Sequence, residues 1–80
     1  MYRLTYDPGI EALHDSLPTD ASERLMLALA DACYDPLEAT HPWGEAEDRN
    51  RMIETGRVRA LLFVSYSQKT ISVLSIDMLP

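Results

Sequence analysis

Alternating apolar and polar residues open the chain and predict a β-strand. Residues 2–6 read YRLTY, so every second side chain is apolar and points to one face of the strand. Asp7 and Pro8 follow, and they predict a helix with Asp7 as its N-cap and the proline at its first position. The first strand is therefore expected to lead directly into a helix.

Two amphipathic helices are predicted next, and the short connection between them favours an antiparallel helical hairpin. The first helix ends before Pro18. The second begins at Asp20, which forms an Asp-led capping box with Glu23, and stops at Asp35-Pro36. The residues at helical spacing that are expected to face inward are Ile10, Leu13 and Leu17 in the first helix, and Leu25, Met26, Leu29, Ala30 and Cys33 in the second.

The second half of the chain predicts three strands after a polar loop at residues 37–48. The strands are expected at 49–54, 57–66 and 70–78, with a tight-turn signal at 55–56. The pattern thus gives the order β-α-α-β-β-β and an α+β fold. A single domain, residues 1–80, is expected to hold the helical hairpin against one face of a largely antiparallel four-stranded sheet.

The 57–66 strand is apolar on both faces near its middle, which indicates a central position in the sheet. One face, expected to meet the helices, carries Val58, Ala60, Leu62, Val64 and Tyr66, and the other carries Arg57, Arg59, Leu61, Phe63 and Ser65. In the last strand, alternation sets Ile71 and Val73 against Leu74 and Ile76.

Composition narrows the class of protein. With 80 residues, 46% hydrophobic and 25% charged, the chain has ordinary globular composition. It has no apolar run long enough for a membrane span and no signal-peptide pattern at its start. The one cysteine, Cys33, leaves no internal disulfide or cysteine-based zinc site and fits a reducing compartment. We therefore expect a cytoplasmic protein that does not associate with membranes.

Charge is unevenly distributed along the chain. Residues 1–48 carry two basic and eleven acidic side chains, whereas residues 49–80 carry five basic and two acidic ones, within a total of −6. This division predicts a dipolar surface, and the alternative is that the charges simply decorate solvated faces.

Several short motifs occur in a characteristic order over nearly the whole chain. They are the Tyr2-x-Leu4-x-Tyr6-x-Pro8 transition from strand to helix, Leu17-Pro18 between the helices, Asp35-Pro36 after the second helix, Thr40-His41-Pro42-Trp43-Gly44-Glu45 in the loop, Gly56-Arg57-Val58-Arg59-Ala60-Leu61-Leu62-Phe63-Val64 at the turn and central strand, and Lys69-Thr70-Ile71-Ser72-Val73-Leu74 in the last strand. In this combination the chain resembles the RelE/ParE superfamily of toxins from bacterial toxin–antitoxin systems.

The resemblance implies two activities and does not choose between them. RelE-like members are mRNA interferases that cut mRNA on the ribosome, where the RNA 2′-oxygen attacks its own phosphate with help from cations and a proton-transfer group. ParE-like members inhibit DNA gyrase by binding. Members of both branches are neutralised by a cognate antitoxin that orders on binding.

Arg59 matches the central-strand arginine that RelE-like enzymes direct at the RNA phosphate, and it is the one catalytic candidate. The alternative is a surface ion pair with Glu54 across the hairpin. Arg49, Arg51 and Arg57 are expected to extend Arg59 into a basic patch, and the alternative is an ordinary solvated sheet face. We predict a partner- or RNA-binding face formed by Arg51, Arg57, Arg59, Leu61 and Phe63.

The end of the chain departs from the nuclease pattern. In RelE-like nucleases the final strand is followed by a basic or histidine residue, an arginine and often a tyrosine, whereas this chain reads IDMLP at residues 76–80. Lys69 is expected in a turn distant from Arg59. The catalytic cations are therefore expected to be missing, and one arginine without an acid–base partner is a poor nuclease.

Other chemically active side chains favour structural roles. His14 falls close to the first helix's apolar stripe and is expected to pack at the helix edge, and His41 is expected to be structural or partner-facing. Trp43 is expected to anchor the loop over the core, and Cys33 to be a small buried residue. No metal or other cofactor is predicted.

Function is accordingly expected to be that of a toxin-like protein that acts mainly by protein binding, with a cognate antitoxin as partner. The alternatives are a ribosome-dependent mRNA endoribonuclease using Arg59, and a non-toxic binding or dimerisation module. The sequence leaves ribosome, mRNA or DNA gyrase as the cellular target, and leaves homodimer formation open.

Overall fold

The computed structural model describes all residues, 1–80, and shows helices covering one face of a mixed sheet. The elements are β1 (Arg3–Tyr6), α1 (Ile10–Asp15), α2 (Thr19–Tyr34), α3 (Pro36–Ala39), β2 (His41–Pro42), β3 (Asn50–Thr55), β4 (Val58–Ser65) and β5 (Thr70–Met78). The sheet order is β1-β5-β4-β3-β2, with β1 and β5 parallel and every other pair antiparallel. The predicted α+β fold with a helical hairpin on a largely antiparallel sheet is confirmed, although the sheet has five strands instead of four.

Helices α1 and α2 do not begin at the polar residues that were predicted to cap them. Helix α1 is capped by Gly9 in the left-handed conformation (φ 83°), because the Asp7 backbone N–H still pairs with the Val73 carbonyl of β5. Helix α2 is preceded by Pro18, whose carbonyl accepts the first intrahelical hydrogen bond from the Ser22 N–H. Neither N-cap makes a side-chain hydrogen bond, so the predicted caps at Asp7 and Asp20 were wrong.

The predicted loop after Asp35-Pro36 contains two short elements. Asp35 ends α2 and also caps α3, since its Oδ1 accepts a hydrogen bond from the Glu38 N–H at 3.3 Å. Pro36 occupies the first turn of α3, where its missing N–H costs nothing. The chain then adds the two-residue strand β2 against Arg51 and Met52, which supplies the fifth strand.

The hydrophobic core lies between α2 and the inner face of the sheet. Its buried residues are Leu25, Leu29, Ala32, Cys33, Ile53, Val58, Ala60, Leu62, Val64, Ile71, Val73 and Ile76. The predicted inward face of the central strand is confirmed from Val58 to Val64. Met26 and Ala30 of α2 are exposed, contrary to prediction, because the buried stripe is centred on Leu25 and Leu29 on the other side of the helix.

A β-bulge changes which residues of β5 face inward. Leu61 pairs with Ser75 but Leu62 pairs with Val73, so Leu74 is an extra residue on β5. The extra residue shifts the alternation and places Ile76 on the same buried face as Val73. The predicted separation of Ile76 from Val73 was therefore wrong.

A buried polar network joins the helical hairpin to β1. The His14 side chain is 3% exposed, with its Nδ1 2.8 Å from the Tyr6 hydroxyl and its Nε2 3.1 Å from the Ser22 carbonyl. In the neutral ring, Nε2 donates to the carbonyl, so Nδ1 accepts from the tyrosine. Helices α1 and α2 are thus held against the sheet, which confirms the predicted packing role of His14.

None of the helices is long and apolar enough to cross a bilayer.

Candidate functional site

The sheet has a second face, turned away from the helices, which we call the outer face. Direct strand pairing shows which side chains share it, because opposed residues in a ladder point to the same side. These side chains are Asn50, Met52 and Glu54 of β3, Arg59, Leu61 and Phe63 of β4, and Ser72, Ser75 and Asp77 of β5. The structure therefore brings three of the five predicted site residues, Arg59, Leu61 and Phe63, onto one surface.

The centre of the outer face is apolar. Leu61 of β4 lies beside Met52 of β3, and Phe63, also on β4, is 38% exposed. His41 of β2 lies opposite Met52 and extends this surface to the edge of the sheet. Met52 was missed by the sequence reasoning, although its alternation with Ile53 in a strand that borders β4 was a usable signal.

Arg59 lies between two carboxylates on the neighbouring strands. Glu54 of β3 and Asp77 of β5 are both directly opposite it in the ladder. Neither carboxylate is within 4.0 Å of its guanidinium, since the only such ion pair in the protein joins Arg49 and Asp48. Arg59 thus faces Glu54 as predicted without forming the ion pair, and the local charge of the three side chains is negative.

The Arg59 side chain is also incompletely hydrogen-bonded. Its Nε is buried and has no acceptor, and the same is true of the Ser75 hydroxyl on the adjacent strand. Ser75 is a diagonal neighbour of Arg59 on the outer face, because it pairs with Leu61 while Asp77 pairs with Arg59. The site therefore has two buried polar atoms without hydrogen-bond partners on adjacent strands, beside two carboxylates.

Arg57 lies at the end of the outer face rather than at its centre. It precedes β4 and is exposed, and its Nε donates to the Leu79 carbonyl at 3.1 Å. The Leu79 N–H in turn donates to the Arg57 carbonyl at 2.6 Å. These bonds extend the β4–β5 ladder beyond Met78 and position the Arg57 side chain next to the end of the chain.

Arg51 is on the opposite face from the other predicted site residues. It pairs with Leu62, which points into the core, and only 7% of Arg51 is exposed. Its guanidinium donates to the carbonyls of Leu37, Thr40 and Glu47 and to the Thr40 hydroxyl. The expectation that Arg51 extends a basic patch around Arg59 was wrong, because this side chain fastens the segment between α3 and β3.

The remaining residues with active side chains have structural positions. Trp43 Nε1 donates to the Leu62 carbonyl at 3.3 Å, which confirms that this side chain anchors the loop. Cys33 is buried in the core, and burial raises the pKa of its thiol, so its thiolate is disfavoured. No group of three His, Cys, Asp or Glu side chains is arranged to hold a metal ion, and the surface has no enclosed pocket.

The end of β5 brings no further cation to Arg59. Met78 pairs with Val58 on the inner side, and Asp77 is the outer-face residue at this point. Lys69 lies in the turn at the other end of β4 and β5, about 20 Å along the strand from Arg59. The two residues directly opposite Arg59 are therefore both acidic, Glu54 and Asp77, and the nearest cation on its own strand side is Arg57, at the end of the outer face.

Three solved structures share this architecture over nearly the whole chain. The isolated RelE toxin of E. coli has a TM-score of 0.86 and 19% identity, over 100% of this chain and 86% of that chain. The intact E. coli RelBE toxin–antitoxin complex gives 0.82 and 19%, over 100% and 99% of the two chains. The RelBE2 toxin–antitoxin complex of Mycobacterium tuberculosis gives 0.79 and 18%, over 96% of each chain.

Sequence comparison adds no relative, since no protein-family model and no curated protein matches the chain. The structural likeness nevertheless covers every element of the sheet and the helical hairpin. It confirms the resemblance deduced from the motifs at the level of architecture. The chain has the fold of the RelE toxins.

Proposed function

We propose that this protein is the toxin component of a bacterial toxin–antitoxin pair and that it acts mainly by binding other proteins through the outer face. The RelE fold supports the first part, because two of the similar structures described above are toxin–antitoxin complexes. The second part depends on one observation, the position of Arg59 directly between the carboxylates of Glu54 and Asp77 on the neighbouring strands.

Electrostatics favours protein binding over RNA cleavage at this face. A phosphate group that approaches Arg59 also approaches two carboxylates, so much of the attraction of the guanidinium is cancelled. No histidine or lysine lies near enough to take a share of the charge or to move a proton. The apolar centre with a mixed polar border instead has the composition of a protein interface.

The proposed partner site comprises Arg57, Arg59, Leu61 and Phe63, without Arg51. A short antitoxin segment that orders on the outer face would cover Leu61 and Phe63 and place an acidic side chain next to Arg57, which, unlike Arg59, has no carboxylate opposite it in the ladder. The acidic outer surface of the helices offers no comparable match for such a segment. The neutralising antitoxin is expected to be encoded in the adjacent reading frame.

Growth and capture assays test this proposal. Expression of the chain alone should arrest growth, and co-expression of the product of the adjacent reading frame should restore growth and yield a stable complex. Phe63→Asp should weaken that complex at least about tenfold. Leu13→Asp is the matched control, because Leu13 is similarly exposed, at 45%, but lies on α1. If Leu13→Asp abolishes the complex in a folded protein while Phe63→Asp does not, the antitoxin site lies on the helical side and the assignment is wrong.

A charge-reversal pair separates buried from peripheral arginines in this interface. Arg57→Glu with Arg59→Glu should cost several kcal/mol of binding, roughly 2–5, if both side chains are desolvated there, and far less if they lie at the rim. The fold should persist, because neither residue belongs to the core.

If expression of the unmodified chain has no effect on growth and the capture assay finds no partner, the toxin proposal is refuted and the non-toxic binding or dimerisation module remains.

A second function is favoured by the carboxylates next to Arg59. A ribosome-dependent mRNA endoribonuclease would use the guanidinium of Arg59 as a phosphate ligand, with Glu54 or Asp77 as the proton-transfer group. Cleavage of mRNA in a translation extract, mapped by primer extension, decides between the two functions. The nuclease is established if the protein cleaves mRNA and if cleavage is lost in Arg59→Met and in at least one of Glu54→Gln and Asp77→Asn. Absence of cleavage at micromolar protein would exclude it.

A further inference from the structure

Helix α2 has an exposed apolar stripe on the side opposite the core. Met26 is 51% exposed, Leu27 68% and Tyr34 72%, and Ala30 lies exposed between them. At 100° per residue these four positions occupy one sector of the helix surface, away from the buried Leu25. We call Met26, Leu27, Ala30 and Tyr34 the α2 stripe. Contiguous apolar surface of this kind is typical of an interaction site.

Carboxylates border the α2 stripe and have no cationic partner in the protein. Asp20, Glu23 and Asp31 are exposed on the same side of α2, and none of them forms an ion pair. The single cation of the helical layer, Arg24, has its Nη1 2.9 Å from where a Cβ of Gly56 would stand. Because its guanidinium lies against the β3–β4 turn, Arg24 leaves the negative charge around the stripe uncompensated.

The charge around the α2 stripe selects one kind of occupant. Nucleic acid and anionic lipid surfaces are repelled by the bordering carboxylates. A second copy of this chain, docked by the same stripe, would bring the two sets of carboxylates together. A segment with lysine or arginine beside its apolar residues matches both features of the surface.

We propose that the α2 stripe docks a cationic amphipathic helix of another protein, at a site separate from the outer face. Leucine-sized side chains of that helix contact Leu27, Ala30 and Tyr34, and its cations lie over Asp20 and Asp31. This goes beyond the proposed toxin function, since it uses the other side of the molecule and does not require an antitoxin. A surface of four apolar side chains bordered by carboxylates should give a small, salt-sensitive interface.

Binding of a defined peptide tests the proposal without an antitoxin. The probe is a fluorescein-labelled helical peptide of about 15 residues made of leucine and lysine, with a leucine–glutamate peptide of the same pattern as its counterpart. Fluorescence anisotropy should show binding of the lysine peptide only, weakening as salt is raised. Amide chemical-shift changes should centre on residues 20–34 and leave Leu61 and Phe63 unmoved.

Two variants with matched controls make the result specific to this surface. Leu27→Ser with Tyr34→Ser should weaken peptide binding at least about tenfold, whereas Phe63→Ser should change it less than twofold. Asp20→Asn, Glu23→Gln and Asp31→Asn together should also weaken it.

The triple variant Glu45→Gln, Glu47→Gln and Asp48→Asn removes the same charge from an exposed loop and should not weaken binding. The proposal is overturned if both triple variants weaken binding of the lysine peptide equally, or if the glutamate peptide binds as tightly as the lysine peptide. It is also overturned if the amide chemical-shift changes lie on the outer face. Sedimentation that shows a dimer dissociated by Leu27→Ser would overturn it too, because the stripe would then be a self-association surface. Leu27 and Tyr34 are more than half exposed, so these variants should fold, as far-UV circular dichroism will verify.

Discussion

Replacement of Arg51 by methionine should destabilise the protein, because this buried guanidinium joins three parts of the chain. Its Nε lies 2.8 Å from the Thr40 hydroxyl and its Nη1 2.7 Å from the Glu47 carbonyl. Its Nη2 lies 2.7 Å from the Thr40 carbonyl and 3.2 Å from the Leu37 carbonyl. Methionine keeps most of the volume and removes every one of these donors.

The expected loss is the difference between two opposing effects. Water can replace the guanidinium at the partly exposed Leu37 and Glu47 carbonyls, but the Thr40 carbonyl is left buried and unpaired, at about 1–3 kcal/mol. The variant also gains, because Arg51 is a buried charge with no carboxylate within 4.0 Å. We therefore expect a net loss of about 1–2 kcal/mol in the free energy of unfolding, out of roughly 4–12 for a domain of this size.

Urea denaturation followed by far-UV circular dichroism measures this loss, and Trp43 fluorescence reports on the loop that Arg51 fastens. Arg49→Met is the control, because Arg49 is exposed and contacts only Asp48 at 3.8 Å, so its replacement should change stability by less than about 0.5 kcal/mol. If the two variants lose the same stability within that margin, the buried network of Arg51 does not stabilise the fold as argued.

Three further substitutions, one of them compared with a control variant, test other parts of the structure in the same denaturation assay. Gly56→Ala should cost about 1 kcal/mol or more, because φ at this turn is +59°, and an unchanged midpoint would contradict the turn geometry. Ser75→Ala should be neutral or stabilising by up to about 1 kcal/mol, because the hydroxyl is buried without a partner, whereas Ser72→Ala should lose the hydrogen bond to the β1 threonine and should not stabilise. Tyr6→Phe should cost about 1–3 kcal/mol at pH 7, because it leaves the buried His14 Nδ1 without a donor. Burial, followed by the nearby carboxylates, raises the pKa of Tyr6 above 10.0 in the folded protein. Because the unfolded chain then loses the tyrosine proton at lower pH, stability should fall as pH rises past 10.0. In Tyr6→Phe this fall should be shallower, and the same alkaline profile in both proteins would contradict the argument.

The hydrophobic periodicity of the sequence correctly predicted the parts of the fold that depend only on one regular helix or strand. The inward and outward faces of β4 follow from strict alternation, and β5 was located at its observed bounds. The alternation of β5 was then misread, because one extra residue at Leu74 reverses every later position and leaves no mark in the sequence. The helix starts failed for a similar reason, since the pairing of Asp7 with β5 is a tertiary contact.

The position of Arg51 was available from the sequence and was overlooked. A two-residue turn at 56–57, as observed, pairs Arg51 with Leu62. A turn at 55–56, as predicted, would have paired it with Ala60 instead. Both partners lie on the helix-facing side of β4, so either turn places Arg51 on the inner face. Its hydrogen bonds to the short helix and β2 could not be foreseen, because those elements were predicted as loop.

The basic second half of the sequence does not produce the cationic face that its charge predicted. Arg51 is buried and donates its hydrogen bonds to the segment between α3 and β3. Arg57 contacts the carbonyl of Leu79, and Arg59 lies opposite two acidic residues in the ladder. The acidic first half behaves differently, because its exposed carboxylates on α2 lack any cation within 4.0 Å. The surface is therefore asymmetric through uncompensated negative charge on the helices rather than through a positive sheet.

This asymmetry bears directly on the choice between functions. Docking on a polyanion depends on several lysine or arginine contacts to phosphates, and each contact steepens the dependence of affinity on salt. Here the outer face presents Arg59 beside Glu54 and Asp77, and the helical face presents carboxylates around an apolar stripe. A measured affinity for ribosomal RNA that falls steeply with salt would contradict this reasoning. Complexes with proteins that survive physiological salt, formed through apolar contacts on either face, are what the distribution of charge favours.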